Sequence, residues 1–374
     1  MTIRSKDDDL PAPLAAALQP LERTLETLET PAVLVDAEVA DANLRRWQAR
    51  CDAAGLINRP HIKTHRSVAW AGRQIELGAR GITVQTVGEA EVMVAAGITD
   101  IFLTTNVLGP AKLERLATVA RRSSLAVVAD SVAVVDGIAS AARIAGETIG
   151  VFVECDTGAG RCGLAEPEDI ATLAAAIADR DALVFGGLMT YPAAGQRVQS
   201  AERLEAARAA CLAHGLQVPV ITSGGSPDMW SDEGLAPITE YRAGTYIYND
   251  RSLVAGGVAT IEQCALTVLA TVVSRPTADR AILDAGSKSL TSDLLGLDGH
   301  GLVLAYPEAR LYGLSEEHGH LDVSNCTTAP QVGERLRILP NHACVVSNLF
   351  DRVFLTAGDR LLGALPVDAR GRSN

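Results

Sequence analysis

The sequence predicts a (β/α)₈ barrel of the TIM type, followed by a C-terminal antiparallel β domain. Between residues 31 and 254, short apolar runs alternate with Ala-rich helical segments, which is typical of a parallel sheet buried on both faces. After residue 255, strand-length runs follow one another through Gly, Pro and Asp turns without long helices. We therefore expect a barrel over 31–254 and a β domain formed by 1–30 and 255–374.

The barrel units follow one another in a regular order. "AVLVD" (32–36) precedes a helix near 40–54. The next strand candidates are, in order, "GITVQT", "IFLTT", "LAVVAD", "GVFVECD", "LVFGGLM" and "VPVITSG". About eight such units end near Asp250, the number that closes a barrel. Ahead of them, "LQPLERTLETLET" (18–30) predicts an amphipathic helix.

Composition excludes several classes of function. The formal net charge is −12 and the pI about 5.1, so the electrostatic attraction that drives nucleic-acid binding is missing. No apolar run reaches the roughly 18 residues that span a bilayer, and "MTIRSKDDDL" lacks the apolar segment of a secretory signal. The seven cysteines are scattered and odd in number, unlike a disulfide framework. We expect a cytoplasmic protein with no nucleic-acid or membrane partner.

Lys63 is the first candidate for chemistry. It lies in "RPHIKTHRS" (59–67), at the end of a short apolar run. Burying a lysine costs several kcal/mol unless the amine loses its proton, finds a partner or forms a covalent bond. A desolvated amine at a barrel strand end fits a Schiff base with a carbonyl cofactor. The alternative is a lysine that extends into solvent from the barrel mouth.

Two turns near the end of the barrel are candidates for binding a phosphate. "TSGGSPD" (222–228) follows the strand "VPVI", and "RAGTYIYND" (242–250) supplies a second Gly-Thr-Tyr turn. Small residues let backbone N–H groups converge on a phosphate, and barrel phosphate sites often form in the last units. Either turn alone is also compatible with an ordinary βα connection. Together they suggest a phosphate-bearing cofactor such as pyridoxal 5′-phosphate.

Polar residues at other strand ends are candidates for contacts to the same cofactor. Arg161, in "VECDTGAGRCG" (153–163), can hold a phenolic oxygen of the cofactor, or else form an ion pair with Asp156. Gln85 in "TVQTVGEAE" and Tyr191 in "LMTYPAAG" also follow strands. Whether these two contact a ligand stays open from the residues alone.

Six segments, taken in order, resemble those of the fold-type III pyridoxal-phosphate enzymes, in the branch of D-serine dehydratase and D-threonine aldolase. They are "TPAVLVD", "RPHIKTHRS", "DTGAGRCG", "SGGS", "YRAGTY" and "LDAGSKSLTSD". The resemblance implies that Lys63 forms the Schiff base and that Arg161 lies by the cofactor's oxygen. It also implies a homodimer, a small D-amino acid substrate, and a phosphate site at Gly224, Gly225, Gly244 and Thr245. Gln85, Tyr191, Ser223 and Tyr246 are predicted as further cofactor contacts.

A candidate metal site lies in "LPNHACVVSNLFD" (339–351). His342 and Cys344, at i and i+2 on a predicted strand, point the same way, and imidazole with thiolate suits Zn²⁺. A core cysteine beside a surface histidine would give the same pattern, but the resemblance implies a metal at a His-x-Cys or His-x-Asp pair in this region. Mn²⁺ or Mg²⁺ would compete if carboxylates lie nearby. His318, in "LSEEHGHLD", is an auxiliary candidate.

The resemblance implies a lyase that acts on D-β-hydroxy-amino acids. A dehydratase of D-serine or D-threo-3-hydroxyaspartate would release a 2-oxo acid and ammonia, and the His-x-Cys pair resembles that group. A D-threonine aldolase would release glycine and an aldehyde, but its group typically carries His-x-Asp and "KAHK" where this chain has "KTHR". "TYPAAG" lacks a histidine expected in both groups. Racemisation and a non-catalytic pyridoxal-phosphate-binding protein are the remaining alternatives.

Overall fold

The computed structural model of the protein describes residues 10–374 and divides them into two units. The barrel unit comprises Trp47–Lys63, Gln74–Gly244 and Arg372–Asn374. The β unit comprises the described chain up to Arg46, Thr64–Arg73 and Thr245–Gly371. The first nine residues of "MTIRSKDDDL", on which the signal-peptide expectation rests, lie outside the described residues.

The strands and helices of the two units are numbered together in chain order. The strands are β1 (Ala32–Asp36), β2 (Ile57–Asn58), β3 (Ile82–Val84), β4 (Asp100–Leu103), β5 (Ser124–Ala129), β6 (Ile149–Glu154), β7 (Leu183–Met189), β8 (Val220–Ser223), β9 (Glu240–Tyr241), β10 (Leu266–Thr277), β11 (Arg280–Leu283), β12 (Gly301–Val303), β13 (Arg310–Leu314), β14 (Gly319–Asp322), β15 (Arg335–Pro340), β16 (Arg352–Ala357) and β17 (Arg360–Pro366). The helices are α1 (Ala12–Ala17), α2 (Ala37–Ala54), α3 (Val68–Glu76), α4 (Val87–Ala95), α5 (Pro110–Ala120), α6 (Val132–Ala145), α7 (Pro167–Ala178), α8 (Arg197–Ala213), α9 (Arg251–Ala255), α10 (Ser287–Leu290) and α11 (Ala343–Leu349).

Eight parallel strands form the sheet of the barrel unit, in the order β2-β9-β8-β7-β6-β5-β4-β3. The chain just beyond β2 also pairs with β3 through a parallel bridge between His61 and Thr83, so the two ends of the sheet meet. The predicted TIM-type barrel is confirmed. All strands run the same way, so the residues that follow each strand gather at one end, where barrel active sites form.

Helices cover the outside of this sheet, and α4 and α6 show residues that favour the start and the end of a helix. Thr86 accepts a hydrogen bond from Glu89 N at 3.1 Å and caps α4. α6 ends at Gly146, whose φ of +71° suits a left-handed helix cap. Inside the unit, the Phe102 and Phe152 rings pack with centroids 4.8 Å apart, beside Met189. Strands with apolar residues on both faces therefore give this unit its core.

One glycine of β7 is required by the packing of neighbouring strands. Gly187 has a φ of +134°, and a Cβ atom there would lie 1.9 Å from Val220 O in β8. We expect Gly187→Ala to lower the free energy of unfolding by about 2–3 kcal/mol, because overpacking and strain act together. Gly215→Ala is the control, since that glycine has a φ of +78° but open space around it. Equal urea-unfolding midpoints for the two variants would contradict this account.

The β unit contains a nine-stranded mixed sheet. Its main path runs β13-β14-β11-β10-β1-β16-β17, with β15 pairing β10 and β12. Every pair is antiparallel except β1 with β16. The core includes Leu28, Leu34 and Leu269, packed against Phe354. The predicted C-terminal β domain is confirmed, with one parallel pair added to its antiparallel strands.

Two local predictions were wrong. "AVLVD" was assigned to the barrel but is β1, because its backbone pairs with β10 and β16 in the other sheet. The six strands β3 to β8 are joined in the barrel sheet by β2 and β9, each two residues long. The chain over 18–30 is not helical. Thr24 and Thr27 form a turn with each other, and Arg335 donates to the carbonyls of Leu25 and Leu28, which replaces helical hydrogen bonds.

Within residues 10–374, no helix combines the length and the apolar character needed to cross a bilayer.

Candidate active site

Lys63 lies in a 3₁₀ turn, Ile62–Thr64, that follows β2 at the barrel mouth. Its backbone N–H donates to His61 Nδ1 at 3.3 Å, and its side chain is half-buried. The other nitrogen of His61 lies 3.2 Å from Gln85 Oε1, and Gln85 Nε2 donates to Thr104 O at 2.9 Å. The structure thus connects Gln85, from the end of β3, to the turn that carries Lys63.

Several residues of the predicted site lie around the side-chain ring of Tyr191, a residue that follows β7. Lys63 Nζ lies 6.0 Å from the ring centroid and Arg161 Cζ lies 4.9 Å from it. A side-chain carbon at Gly225 would lie 3.1 Å from Tyr191 Cε2, so the backbone after β8 also approaches this ring. Tyr191 is 38% exposed. A partly exposed aromatic ring beside an amine and a guanidinium can support a flat, charged ligand.

Arg161 does not form the ion pair with Asp156 that was its alternative role. It lies 3.8 Å from the buried carboxylate of Glu154, while Asp156 accepts hydrogen bonds from the backbone N–H groups of Gly158 and Gly160. Burial raises the pKa of Glu154, and the Arg161 charge acts against that shift. Asp156 therefore orders the loop, and the Arg161 guanidinium is left half-exposed at the barrel mouth.

Near Glu154 lie two further side chains that could bind a metal ion. Asp130 and Cys162 lie with Glu154 so that one donor atom from each falls within 4.8 Å of the others. Protein groups already surround them, because Gly163 N donates to Asp130 Oδ2 at 3.2 Å and Arg161 faces Glu154. We assign no metal to this group.

The "SGGS" segment forms a tight turn at the end of β8. Ser223 is buried, and Gly224 has a φ of +115°, where a Cβ atom would lie 2.4 Å from Tyr241 Cε1. Tyr241 OH donates to Gly225 O at 3.0 Å and holds the turn from below. Only glycine fits at position 224, so the backbone remains open to a close ligand. This arrangement fits a phosphate group.

We expect Gly224→Ala to weaken pyridoxal phosphate binding at least about tenfold, because a Cβ atom would displace the turn that approaches the phosphate. The dissociation constant would be measured by titrating cofactor-free protein and following absorbance. Gly195→Ala is the matched control, since Gly195 has a φ of +75° but nothing within 4 Å of the added carbon. If both variants bind the cofactor as wild type does, the turn has no part in binding.

Arg242 was missed by sequence reasoning although it lies inside the quoted segment "YRAGTY". It is buried after β9, and it donates to Thr222 Oγ1 at 2.5 Å and to Thr190 O at 2.7 Å. Burial lowers its pKa to about 10, and the Glu240 and Glu154 carboxylates act in the opposite direction. It therefore remains charged at neutral pH and links the ends of three neighbouring strands. The sequence offered one indication of a role for Arg242, which is its position directly before Ala243 and Gly244 in that segment.

In the β unit, two predicted cofactor contacts, Thr245 and Tyr246, lie in one 3₁₀ turn, Thr245–Ile247. Tyr246 is buried there. Thr245 Oγ1 lies 3.5 Å from Cys344 Sγ, and Thr64 Oγ1 lies 3.1 Å from the same sulfur. Gly244 belongs to the barrel unit. Two hydroxyl groups next to one sulfur are suited to stabilising a thiolate.

His342 and Cys344 are not on a strand. His342 is the N-cap residue of α11, and Cys344 lies in the first turn of that helix. The buried carboxylate of Asp250 accepts a hydrogen bond from Ala343 N at 3.0 Å, which fixes the start of the helix. Sequence reasoning assigned a strand because "ILPNHACVV" is apolar, but β15 ends at Pro340 and the helix begins within three residues. The two side chains still lie together.

Two contacts define the surroundings of His342. Its Nδ1 atom lies 2.7 Å from Asp293 Oδ2. The pKa of His342 is raised to about 9, chiefly by its hydrogen bond to the Cys344 thiol, while burial acts in the opposite direction. Imidazole, thiol and a supporting carboxylate form a donor set that fits Zn²⁺. Asp293 lies in the quoted segment "LDAGSKSLTSD" but received no role from the sequence.

His318 lies in the turn between β13 and β14. It is exposed, and its carbonyl accepts a hydrogen bond from Ser315 N at 2.8 Å. Among the described residues, His318 is not part of a group of three His, Cys, Asp or Glu side chains close enough together to hold a metal ion. Its auxiliary role stays a prediction.

Two family models match this chain. The model "Alanine racemase, N-terminal domain" matches residues 35–252, and the model "Putative serine dehydratase domain" matches residues 265–356. A D-threonine aldolase from Arthrobacter sp. is 35% identical over 93% of this chain and 94% of that protein. This chain belongs to the D-threonine aldolase and D-serine dehydratase family. It is therefore a pyridoxal-phosphate-dependent lyase with an alanine racemase-like fold.

Members of the family with different activities are about equally similar to the chain. D-threo-3-hydroxyaspartate dehydratase from Delftia sp. (strain HT23) is 35% identical over 91% of this chain and 97% of that protein. A D-threonine aldolase structure from Filomicrobium marinum matches with a TM-score of 0.87 and 31% identity, over 96% and 100% of the two chains. A Cys-to-Ala mutant of a D-threo-3-hydroxyaspartate dehydratase, solved in a metal-free form, matches with a TM-score of 0.83 and 33% identity, over 92% of this chain and 99% of that one.

Proposed function

We propose that this family member is a pyridoxal phosphate- and divalent metal-dependent dehydratase that converts D-serine or D-threo-3-hydroxyaspartate to a 2-oxo acid and ammonia. The observation that carries the proposal is the donor pair His342 and Cys344, with Asp293 2.7 Å behind the imidazole. A lyase that needed only an electron sink at Cα would have no use for such a pair. A role as metal ligands accounts for the His342 and Cys344 pair.

The residues of the barrel unit fit the cofactor. Lys63 would hold it covalently, with Gly224 and Gly225 at the phosphate, Tyr191 along the ring and Arg161 at an exposed oxygen. Gln85, Ser223, Gly244, Thr245 and Tyr246 are proposed as further contacts. When bound, pyridoxal phosphate supplies an electron sink that acidifies the Cα–H bond of an amino acid.

Proton transfer at Cα is assigned to Lys63. Its amine lies 6.0 Å from the Tyr191 ring centroid, in a half-buried turn with Arg161 on the same ring. The neutral form of an amine is the form that accepts a proton. Lys63, which would hold the cofactor, is thus also placed to act as a general base at Cα.

In the β unit, His342 and Cys344 would hold the metal, and we propose Zn²⁺ because a thiolate is among its ligands. When bound, the metal supplies a Lewis acid for a β-hydroxyl group that must leave as water. Thr64 and Thr245 hydroxyls, at 3.1 and 3.5 Å from Cys344 Sγ, would stabilise the sulfur as thiolate. Asp250 fixes the helix start between the two ligands.

A D-threonine aldolase is the second candidate, because the Arthrobacter aldolase is as similar to this chain as the Delftia dehydratase. The same cofactor, metal and base would serve it, with cleavage of the Cα–Cβ bond in place of the Cβ–O bond. The cysteine at position 344 favours the dehydratase in our proposal. We also propose that the protein is a homodimer, which light scattering of the purified protein tests.

Product analysis tests the proposal. Purified protein reconstituted with cofactor and zinc would be offered D-serine, D-threonine and both D-3-hydroxyaspartate diastereomers, with L-enantiomers and a chelated sample as controls. We expect equal amounts of ammonia and a 2-oxo acid from D-serine or the threo diastereomer, and neither after chelation. Glycine and an aldehyde would establish the aldolase in its place.

A further inference from the structure

Asp293 lies behind the imidazole of His342 in a loop that the protein holds by several contacts. Asp293 N donates to Thr291 Oγ1 at 3.3 Å, and Thr291 has a φ of +65°. The fully buried side chain of Asn341 donates to Asp293 O at 3.2 Å and to Gly299 O at 2.9 Å. Because Asn341 precedes His342 in the chain, the same residue fixes the backbone on both sides of the Asp293–His342 contact.

The contact itself specifies which ring nitrogen carries a proton. Asp293 Oδ2 lies 2.7 Å from His342 Nδ1, and a carboxylate can only accept a hydrogen bond there. The neutral imidazole is therefore protonated on Nδ1 and keeps its lone pair on Nε2, the atom that is left for a metal. His342 is also hydrogen bonded to the Cys344 thiol. The ring thus lies between a carboxylate that orients it and the second donor of the pair.

We propose that Asp293 is a positioning residue of the metal site, which fixes the tautomer and orientation of His342 and does not itself bind the metal. The inference rests on the proposed function, since it needs a metal at His342 and Cys344. Carboxylates in this position raise the basicity of the ligand, and their loss typically weakens metal binding 10–100-fold.

The chain offers a matched control in the same loop. Asp298 is an exposed carboxylate that pairs with Arg310 at 2.7 Å and has no contact with His342. Asp298→Asn changes the net charge as Asp293→Asn does, so it accounts for long-range electrostatic effects. Asp293→Asn keeps an oxygen that can accept from Nδ1 but removes the charge, whereas Asp293→Ala removes both.

The experiment measures the zinc dissociation constant of cofactor-loaded protein by competition with a chromophoric chelator. We expect Asp293→Ala to bind zinc about 10–100-fold more weakly than wild type, Asp293→Asn to lie between them, and Asp298→Asn to match wild type. With Co²⁺ in place of zinc, both Asp293 variants should keep the thiolate-to-metal charge-transfer band from Cys344. Thermal unfolding of the metal-free variants would show that they are folded.

The outcomes distinguish a failure of the proposed metal site from a failure of the inference about Asp293 alone. If wild-type protein has no stoichiometric zinc site, the metal part of the proposed function fails and the inference fails with it. If wild type binds zinc and Asp293→Ala binds it equally well, the inference alone is wrong. If Asp293→Asn and Asp293→Ala both lose as much affinity as His342→Ala, Asp293 is a direct ligand and the positioning role is overturned.

Discussion

Replacing Lys63 with arginine is expected to abolish turnover and the near-visible absorption of bound pyridoxal phosphate. Arginine keeps the positive charge of the side chain but cannot form a Schiff base, and it does not lose a proton to act as a general base. Loss of the base alone lowers the rate by about 10²–10⁴-fold. The measurement combines the absorption spectrum with the steady-state rate on the preferred substrate.

The control for this variant is Lys112→Arg, since Lys112 is an exposed lysine of α5. Borohydride reduction of wild-type protein, followed by peptide mass mapping, should place the cofactor on the peptide that contains Lys63. A Lys63→Arg protein that keeps the absorption band and its turnover would show that another residue carries the cofactor. It would also return Lys63 to the role of an ordinary lysine at the barrel mouth.

Removing the metal is expected to give the second largest effect. Cys344→Ala, His342→Ala or treatment with a chelator should lower turnover by about 10²–10⁴-fold, because a Lewis acid supplies several kcal/mol of transition-state stabilisation. The cofactor absorption should remain, since the proposed Schiff-base lysine is a different residue. Adding zinc back should restore the chelated wild type but not Cys344→Ala.

Cys326→Ala is the control for the cysteine variant, because Cys326 is another half-buried cysteine of the β unit, in the turn after β14. It should keep wild-type turnover and zinc content. If Cys344→Ala turns over at the wild-type rate with zinc and with chelator, the donor pair has no catalytic purpose. The chain would then be a lyase that depends on its organic cofactor alone.

The fold could be predicted because both units carry strong periodic signals. Continuous apolar strands such as β5 and β6, separated by helices that begin and end as expected, specify a buried parallel sheet. The sequence did not reveal that "AVLVD" pairs with β10 and β16, since an apolar strand of five residues fits either sheet equally well. Strands β2 and β9 are two residues long and leave no periodic signal.

The sequence also predicted only part of the candidate site. Lys63, Arg161, Tyr191 and Gly225 follow four different strands, and the structure brings the other three around the Tyr191 ring. The sequence did not predict the residues that support other parts of the site, Arg242 and Asp293. Arg242 donates to Thr190, 52 positions earlier, and Asp293 contacts His342, 49 positions later, so spacing along the chain does not reveal either contact. Their roles follow from contacts that only the folded chain makes.

The measurement that tests the central claim most directly follows one carbon atom. D-threo-3-hydroxyaspartate labelled with carbon-13 at Cβ would be converted by the zinc-loaded holoenzyme, and the products would be separated and analysed by NMR. We expect the label in a four-carbon 2-oxo acid, with one equivalent of ammonia, because elimination leaves the Cα–Cβ bond intact. Label in a two-carbon aldehyde, with unlabelled glycine as co-product, would contradict the dehydratase assignment and establish retro-aldol cleavage.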